Sequence, residues 1–246
     1  MTGMAMPPFN VYEDAQRAEA YDKLEFPGTY YLAFRDLPEI IRQYVPGRKA
    51  LDFGCGTGRS TRFLCGLGFT ACGVDVSPEM ISKARLRDPE GDYRLVPADD
   101  FSSLSSTGYD LILSAFTFDN IPTRHAKVTL FTELARLLTD DGIIINLVSS
   151  PEIYTHEWAS FTTKDFPENR NARCGDEVRI IMMDVEDRRP VVDIIWPEED
   201  YCGVYKAARL KVIKMLKPLA NGDEPFAWVN ETRVAPWVIY ALRKCV

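Results

Sequence analysis

Three glycines at alternate positions, Gly54, Gly56 and Gly58, stand directly after the apolar run Ala50 to Phe53 and directly before Arg59 to Leu67. In that second stretch Phe63, Leu64 and Leu67 share one helical face. A strand that passes into a helix through such a loop needs residues tolerant of positive φ, and the absent Cβ atoms let a ligand approach the main chain. A dinucleotide fingerprint would need G-x-G-x-x-G, but its third glycine position is Arg59, and no Gly-Lys-Ser/Thr follows to make a phosphate-cradling Walker loop.

The same rhythm continues downstream. Thr70 to Val76 predicts a second strand, and Ser77-Pro78-Glu79 predicts a helix start, with a serine N-cap and Pro at the first helical position. That helix runs to about Leu86. Tyr93 to Val96, Tyr109 to Ser114 and Gly142 to Val148 predict strands three to five, with a helix over His125 to Leu138 before the last. Alternating strands and helices build a parallel sheet covered on both faces, so a doubly wound α/β core is expected over residues 49–149. Before it, Tyr12 to Tyr44 predicts two helices broken at Pro27-Gly28, a lid formed by residues 1–48. After it, in residues 150–197, Val178 to Met183 and Val191 to Trp196 alternate around Glu186-Asp187-Arg188-Arg189 and predict an inserted antiparallel hairpin. Residues 198–246 then supply a helix, Glu199 to Ala208, and two closing strands, Lys211 to Leu216 and Val234 to Leu242, within one domain.

Composition narrows the partners. The 246 residues carry 29 Lys+Arg against 36 Asp+Glu, a net charge of −7 that repels a phosphate backbone, so a small molecule is expected and nucleic acid is not. The longest apolar runs fall far short of the ~20 residues that cross a bilayer, and Met1 to Asn10 lacks the pattern of a secretory signal. The 6 cysteines show neither CxxC pairs nor zinc-ligand spacing, and read as reduced thiols of a cytoplasmic protein.

Ala50 to Ser60, with Asp52 ahead of the glycines, resembles the first motif of the class I S-adenosylmethionine-dependent methyltransferases, of the type 11/25-like small-molecule kind. Further matches follow in order. Gly73-Val74-Asp75-Val76-Ser77 resembles the family's second strand, where an acidic residue takes both ribose hydroxyls. Ala98-Asp99-Asp100-Phe101 resembles the adenine loop, with Asp100 favoured over Asp99 for the contact. Tyr109-Asp110-Leu111-Ile112 resembles the fourth strand, and Leu137-Leu138 to Asp141-Gly142 the turn before the fifth. The resemblance implies a Rossmann-like seven-stranded methyltransferase sheet with N-terminal helices and an inserted antiparallel hairpin. It implies S-adenosylmethionine as cofactor, held by Asp52, Gly54, Cys55, Gly56, Gly58, Asp75, Val76, Asp99, Asp100, Phe101 and Ser114. Tyr12 and Tyr21 fall where related enzymes cover the cofactor.

Methyl transfer is an in-line displacement, in which alignment can do most of the work and no dedicated base is required. The acceptor is expected at the carboxyl edge of the sheet. There, Ser114 to Asn120 offers Asp119, and Glu152 to Phe161 offers His156 among three aromatics; these two are the candidate catalytic residues. Oxygen, nitrogen and carbon acceptors all stay open. A DNA-adenine enzyme would carry Asn/Asp-Pro-Pro-Tyr/Phe where this chain has Ser114-Ala115-Phe116-Thr117. The alternatives are a non-methylating relative, either an aminopropyl transferase, of whose acidic pair Asp119 is only half, or a cofactor-binding regulatory protein, and a nicotinamide oxidoreductase, disfavoured by Arg59.

Overall fold

In the computed structural model, which describes residues 26–97, 101–104 and 108–245, two short helices precede the sheet, α1 (Thr29–Arg35) and α2 (Leu37–Tyr44). Strands β1 (Lys49–Phe53), β2 (Thr70–Asp75), β3 (Asp92–Leu95), β4 (Tyr109–Ala115) and β5 (Leu138–Ser149) follow. Between them lie α3 (Arg59–Gly66), α4 (Pro78–Arg87) and α5 (Arg124–Leu137), each returning the chain to start a parallel neighbour. An insertion contributes β6 (Phe161–Thr162), β7 (Glu177–Met182) and β8 (Val191–Ile194). The chain closes with α6 (Glu198–Ala207), β9 (Leu210–Leu216) and β10 (Trp237–Lys244).

The main sheet has the order β3-β2-β1-β4-β5-β10-β9. Strands β1 to β5 run parallel, while β10 lies antiparallel between β5 and β9. Both faces are buried because residues along a strand alternate sides. On β5, Ile143, Ile145 and Leu147 join a cluster with α1, α2 and Trp237, whereas Ile144 and Val148 join one with Phe131 of α5 and Tyr205 of α6. The expected caps form: Ser77 Oγ accepts from the Met80 amide at 3.3 Å, with Pro78 opening α4. The order in which strands are added reverses between the parallel neighbours β1 and β4, and at such a point the loops leaving the two strands part and open a crevice.

Several boundaries depart from expectation. Residues 139–142 make no separate turn, because β5 begins at Leu138 opposite Tyr109 and then bulges until Ile143 faces Leu111. Gly142 permits this: a Cβ there would lie 2.7 Å from the Tyr109 carbonyl oxygen. The helix expected before Pro27-Gly28 lies outside the described residues, and the stretch after it, expected as a single helix, is broken at Asp36 into α1 and α2. Tyr12, Tyr21, Asp99 and Asp100 lie outside the described residues. The predicted hairpin gains a third strand, β6, in the order β6-β7-β8.

A fully buried carboxylate, Glu231, ties the added parts together. One oxygen accepts from Thr29 Oγ1 and the Ala159 amide, both at 2.7 Å, and the other from the amides of Val229 and Asn230 at 2.8 and 3.0 Å. Thr29 in turn donates its amide to Ser160 Oγ (2.9 Å) and accepts at its carbonyl from Trp237 Nε1 (2.8 Å). The start of α1, the insertion and the approach to β10 are thereby joined through one anion. Glu231→Gln keeps the shape but sets an NH2 donor against N–H or O–H donors, which should cost about 2–4 kcal/mol of unfolding free energy in urea titrations. A loss below about 0.5 kcal/mol would mean that the joint contributes little.

Candidate active site at the carboxyl edge of the sheet

The glycine loop has φ of 73° at Gly54, 54° at Gly56 and 82° at Gly58. Crowding forces the first: a Cβ on Gly54 would lie 2.1 Å from Thr117 Oγ1, whose hydroxyl donates to the Phe53 carbonyl at 2.9 Å and so clamps the loop after β4 to the end of β1. At Gly56 a Cβ would meet nothing within 4 Å among the described residues, so this stretch of main chain is open on their side. Arg59, standing where a dinucleotide loop has its third glycine, places its guanidinium 5.1 Å from the ring centroids of both Phe26 and Tyr30.

Two carboxylates flank the open stretch. Asp75, at the tip of β2, accepts from the Gly56 amide at 2.9 Å through one oxygen and from the Ser77 amide at 2.8 Å through the other. Each oxygen keeps a further lone pair for a donor. Burial raises its pKa, and the backbone amides oppose that rise. Asp52 is fully buried; its Oδ2 accepts from Ser60 Oγ (2.7 Å) and Thr61 Oγ1 (2.6 Å), and its Oδ1 has no partner among the described residues. Burial, opposed by the two hydroxyls, lifts this carboxyl to about 6.

The other predicted cofactor residues divide. Val76 is 49% exposed just beyond β2, while the buried ring of Phe101 lies 6.0 Å from that of Phe53 at the end of β1. Ser114 is buried with its Oγ unpartnered among the described residues. The side chain of Cys55 packs with Ile81, Ala84 and Tyr93, its Sγ 3.6 Å from the Gly56 carbonyl oxygen, and burial pushes its thiol up.

Next to this loop, a small cavity of about 40 Å³, open on one side, lies beneath the insertion. Tyr30, Phe116, Phe161 and Trp237 give its aromatic walls, and Asp119, Tyr154 and Asp193 its polar ones. Phe116 has φ of 65°, a left-handed conformation costly for a bulky residue, at the head of the 3-10 turn Thr117–Asn120 that presents Asp119. Both Asp119 oxygens accept from the Ser149 amide, at 3.0 and 3.3 Å. Tyr154 donates its hydroxyl to Asp193 Oδ2 at 3.1 Å. Behind the turn, fully buried Lys127 donates to the Phe118 carbonyl, with its ammonium 4.8 Å from the Trp196 ring centroid and 5.1 Å from that of Tyr201. Burial draws Asp119 and Lys127 both towards neutrality, raising the acid and lowering the amine.

Asp119 thus reaches the cavity, and His156 is not among its lining residues. The His156 Nδ1 lies 3.0 Å from the Glu152 carbonyl oxygen and 3.1 Å from Thr155 Oγ1, inside its own turn. Asp193 and Lys127 escaped the sequence reading, although each left a trace there. Asp193 occupies the buried side of the alternation Val191, Asp193, and Lys127 sits on the apolar face of α5 with Phe131 and Leu134. A charge at a core position of either periodicity marks a buried ionic group.

Asp52 titrates near ~3.9 in an unfolded chain, so its raised folded value makes its contribution fully favourable below about pH 4 and lost as pH rises through about 6. Ionised at neutral pH, the group costs roughly 3 kcal/mol relative to its protonated form. The stability of Asp52→Asn relative to the parent should therefore rise by about 2–3 kcal/mol between about pH 4 and pH 7.5 in urea titrations. A difference that stays flat with pH would mean that Asp52 is not desolvated.

With this geometry in view, the likenesses to known proteins are specific. Residues 51–146 match the family described as a methyltransferase domain. A ubiquinone biosynthesis O-methyltransferase of Thiobacillus denitrificans is 29% identical over 136 residues, 54% of this chain and 49% of that protein. An uncharacterised methyltransferase of Synechocystis is 36% identical over 110 residues, 45% of this chain and 51% of that one. The chain spans about half the length of these curated relatives. Among solved structures, the CcbJ methyltransferase from Streptomyces caelestis superposes with a TM-score of 0.67 at 16% identity, covering 95% of this chain and 98% of that one. An S-adenosylmethionine-dependent methyltransferase from Clostridium acetobutylicum gives 0.62 at 15% identity, covering 96% and 97%. Residues 51–146 thus resemble a methyltransferase domain, and the chain shares the fold of these solved methyltransferase structures.

Proposed function

We propose that the protein transfers a methyl group from S-adenosylmethionine to a small-molecule acceptor. The observation that carries this reading is the pair of carboxylates around the open main chain at Gly56: Asp75 with lone pairs to spare at the tip of β2, and Asp52 with a buried oxygen lacking a donor. These groups suit a ligand with vicinal hydroxyls and an ammonium group. Asp75 would take the ribose hydroxyls and Asp52 the charge of the aminoacyl end, with Val76 and Phe101 as apolar surfaces for the adenine. When bound, the cofactor supplies a methyl carbon whose bond to sulfur breaks, with its electron pair left on sulfur, as the acceptor's lone pair forms the new bond.

The chain's own part is alignment. The Thr117 clamp holds the loop after β4 against the loop after β1, so the Asp119 turn and the glycine loop keep a fixed spacing. Asp119 is the proposed orienting group of the acceptor. His156 can act only from outside the cavity lining, after a change of its local hydrogen bonds. The family match ends at 146, ahead of the insertion that roofs the cavity, so the acceptor need not follow that of the relatives named for O-methylation. Net charge of −7 favours a small molecule over nucleic acid, and among the described residues no helix is long and apolar enough to cross a membrane. The 6 free cysteines suit the cytoplasm.

Calorimetry with S-adenosylmethionine and its demethylated product tests the reading. Both should bind at about micromolar affinity and NAD far more weakly, and Asp75→Ala should weaken the first two by about 1–3 kcal/mol. Unchanged affinity in that variant removes Asp75 from the site, and tight NAD binding removes the methyltransferase reading itself.

A further inference from the structure

We infer, resting on the methyl-transfer reading above, that Arg59 is a positioning residue of the site. By caging the ring of Tyr30 it joins the first turn of α3, beside the glycine loop, to the aromatic wall of the cavity. Binding of the cofactor then fixes the wall against which an acceptor must lie.

Arg59 opens α3 directly after Gly58. Its guanidinium lies 5.1 Å from the ring centroids of Phe26 and Tyr30 and 5.6 Å from that of Phe34. Residues four apart on a helix are neighbours, and Phe63, one turn beyond Arg59, extends the same contact. Its ring stands 5.9 Å from Phe26 and 5.3 Å from Phe34, both edge-on, and those two stand 4.2 Å from each other. One face of α3 is thereby fitted to residues 26–34. The guanidinium makes that fit directional, because a cation is drawn to the faces of rings whereas an apolar side chain is indifferent to their orientation.

Each end of this contact leads to one side of the site. On the cofactor side, Ser60 and Thr61 follow Arg59 in the first turn of α3 and donate their hydroxyls to Asp52 Oδ2 at 2.7 and 2.6 Å. Burial raises the Asp52 pKa, the two hydroxyls oppose the rise, and so does the Arg59 charge. A ligand ammonium that takes Asp52 therefore acts on the turn that carries Arg59. On the acceptor side, the Tyr30 ring centroid lies 5.1 Å from that of Phe161, 5.7 Å from that of Trp237 and 5.8 Å from that of Phe116, and all four residues line the cavity. A cavity of about 40 Å³ has room for little more than a water, so the setting of the Tyr30 ring decides what can enter. The path also closes on itself. Phe116 heads the turn of Thr117, whose hydroxyl donates to the Phe53 carbonyl at the start of the glycine loop.

A positioning role and a packing role differ in what they predict. Were Arg59 only a packing residue, its loss would loosen α1 equally with and without ligand. As the link between the two sides, its loss removes the difference that the ligand makes to α1. Coupling of this kind is a free energy shared by two sites, and it is measured as that difference.

The test is amide hydrogen exchange of the full chain, read by mass spectrometry without ligand and with S-adenosylhomocysteine at a concentration that saturates each protein. Exchange in α1 (Thr29–Arg35) is compared with exchange in β9 (Leu210–Leu216), at the far edge of the sheet. In the parent, the ligand should slow α1 at least about fivefold more than β9. In Arg59→Met that excess should fall below about twofold, and Arg59→Lys, which keeps a cation among the rings, should restore part of it. An excess that survives in Arg59→Met, with α1 merely faster in both states, shows a packing role and overturns the proposal. Should Arg59→Met not fold, Tyr30→Leu removes the caged ring instead and is held to the same criterion. A parent that binds S-adenosylhomocysteine in calorimetry without excess protection of α1 overturns this proposal alone. A parent that does not bind it at all defeats the methyltransferase reading and this proposal together.

Discussion

A buried carboxylate is tolerable only when donors surround it, and Glu231 meets that condition by drawing in parts of the chain that sequence keeps far apart. Thr29, the Ala159–Ser160 segment and the 229–230 turn all depend on it, and they set Tyr30, Phe161 and Trp237 around one cavity. The cavity is thus organised by hydrogen bonds to a single anion, not by regular secondary structure. The glycine-loop side is organised differently, by sheet register and by the Thr117 hydroxyl that joins the ends of β1 and β4.

The two sides share a sign. Asp52 and Asp75 stand beside the glycine loop, Asp119 and Asp193 in the neighbouring cavity, and the cation behind Asp119 is held within its own shell of aromatic rings. Burial weakens the ionised forms of Asp52, Asp75 and Asp119 and strengthens their attraction for a cation that arrives without its water.

How much of this was legible in the sequence follows from the range of each interaction. The passage from β1 through Gly54–Gly58 to α3 was readable because one local stretch carries both periodicities and the glycines between them. Ser77-Pro78 was readable as a cap for the same reason. The bulge before Ile143 was not, since it depends on how Tyr109 and Leu138 pair across the sheet. Strand β6, two residues long, has no period to detect. Glu231 looks like any surface acid until its four donors are counted, and Asp193 like a turn residue until its strand is seen to face inward. His156 attracted notice as a histidine among aromatics, but its carbonyl neighbour, Glu152, is four residues away in its own turn, a contact that composition does not reveal.

The position of β10 has a consequence for how the protein is made. This strand fills the slot between β5 and β9, and its first residue, Trp237, supplies a wall of the cavity. During synthesis from the N-terminus, β5 is complete long before residues 237–244 leave the ribosome, and its outer edge must wait with unpaired backbone groups and apolar faces. The nascent chain therefore passes through a stage in which an open parallel sheet can pair with other chains. Slowing translation after residue 149 would lengthen that exposure, so aggregation of this protein in a cell should respond to codon choice in the insertion more than to its final stability.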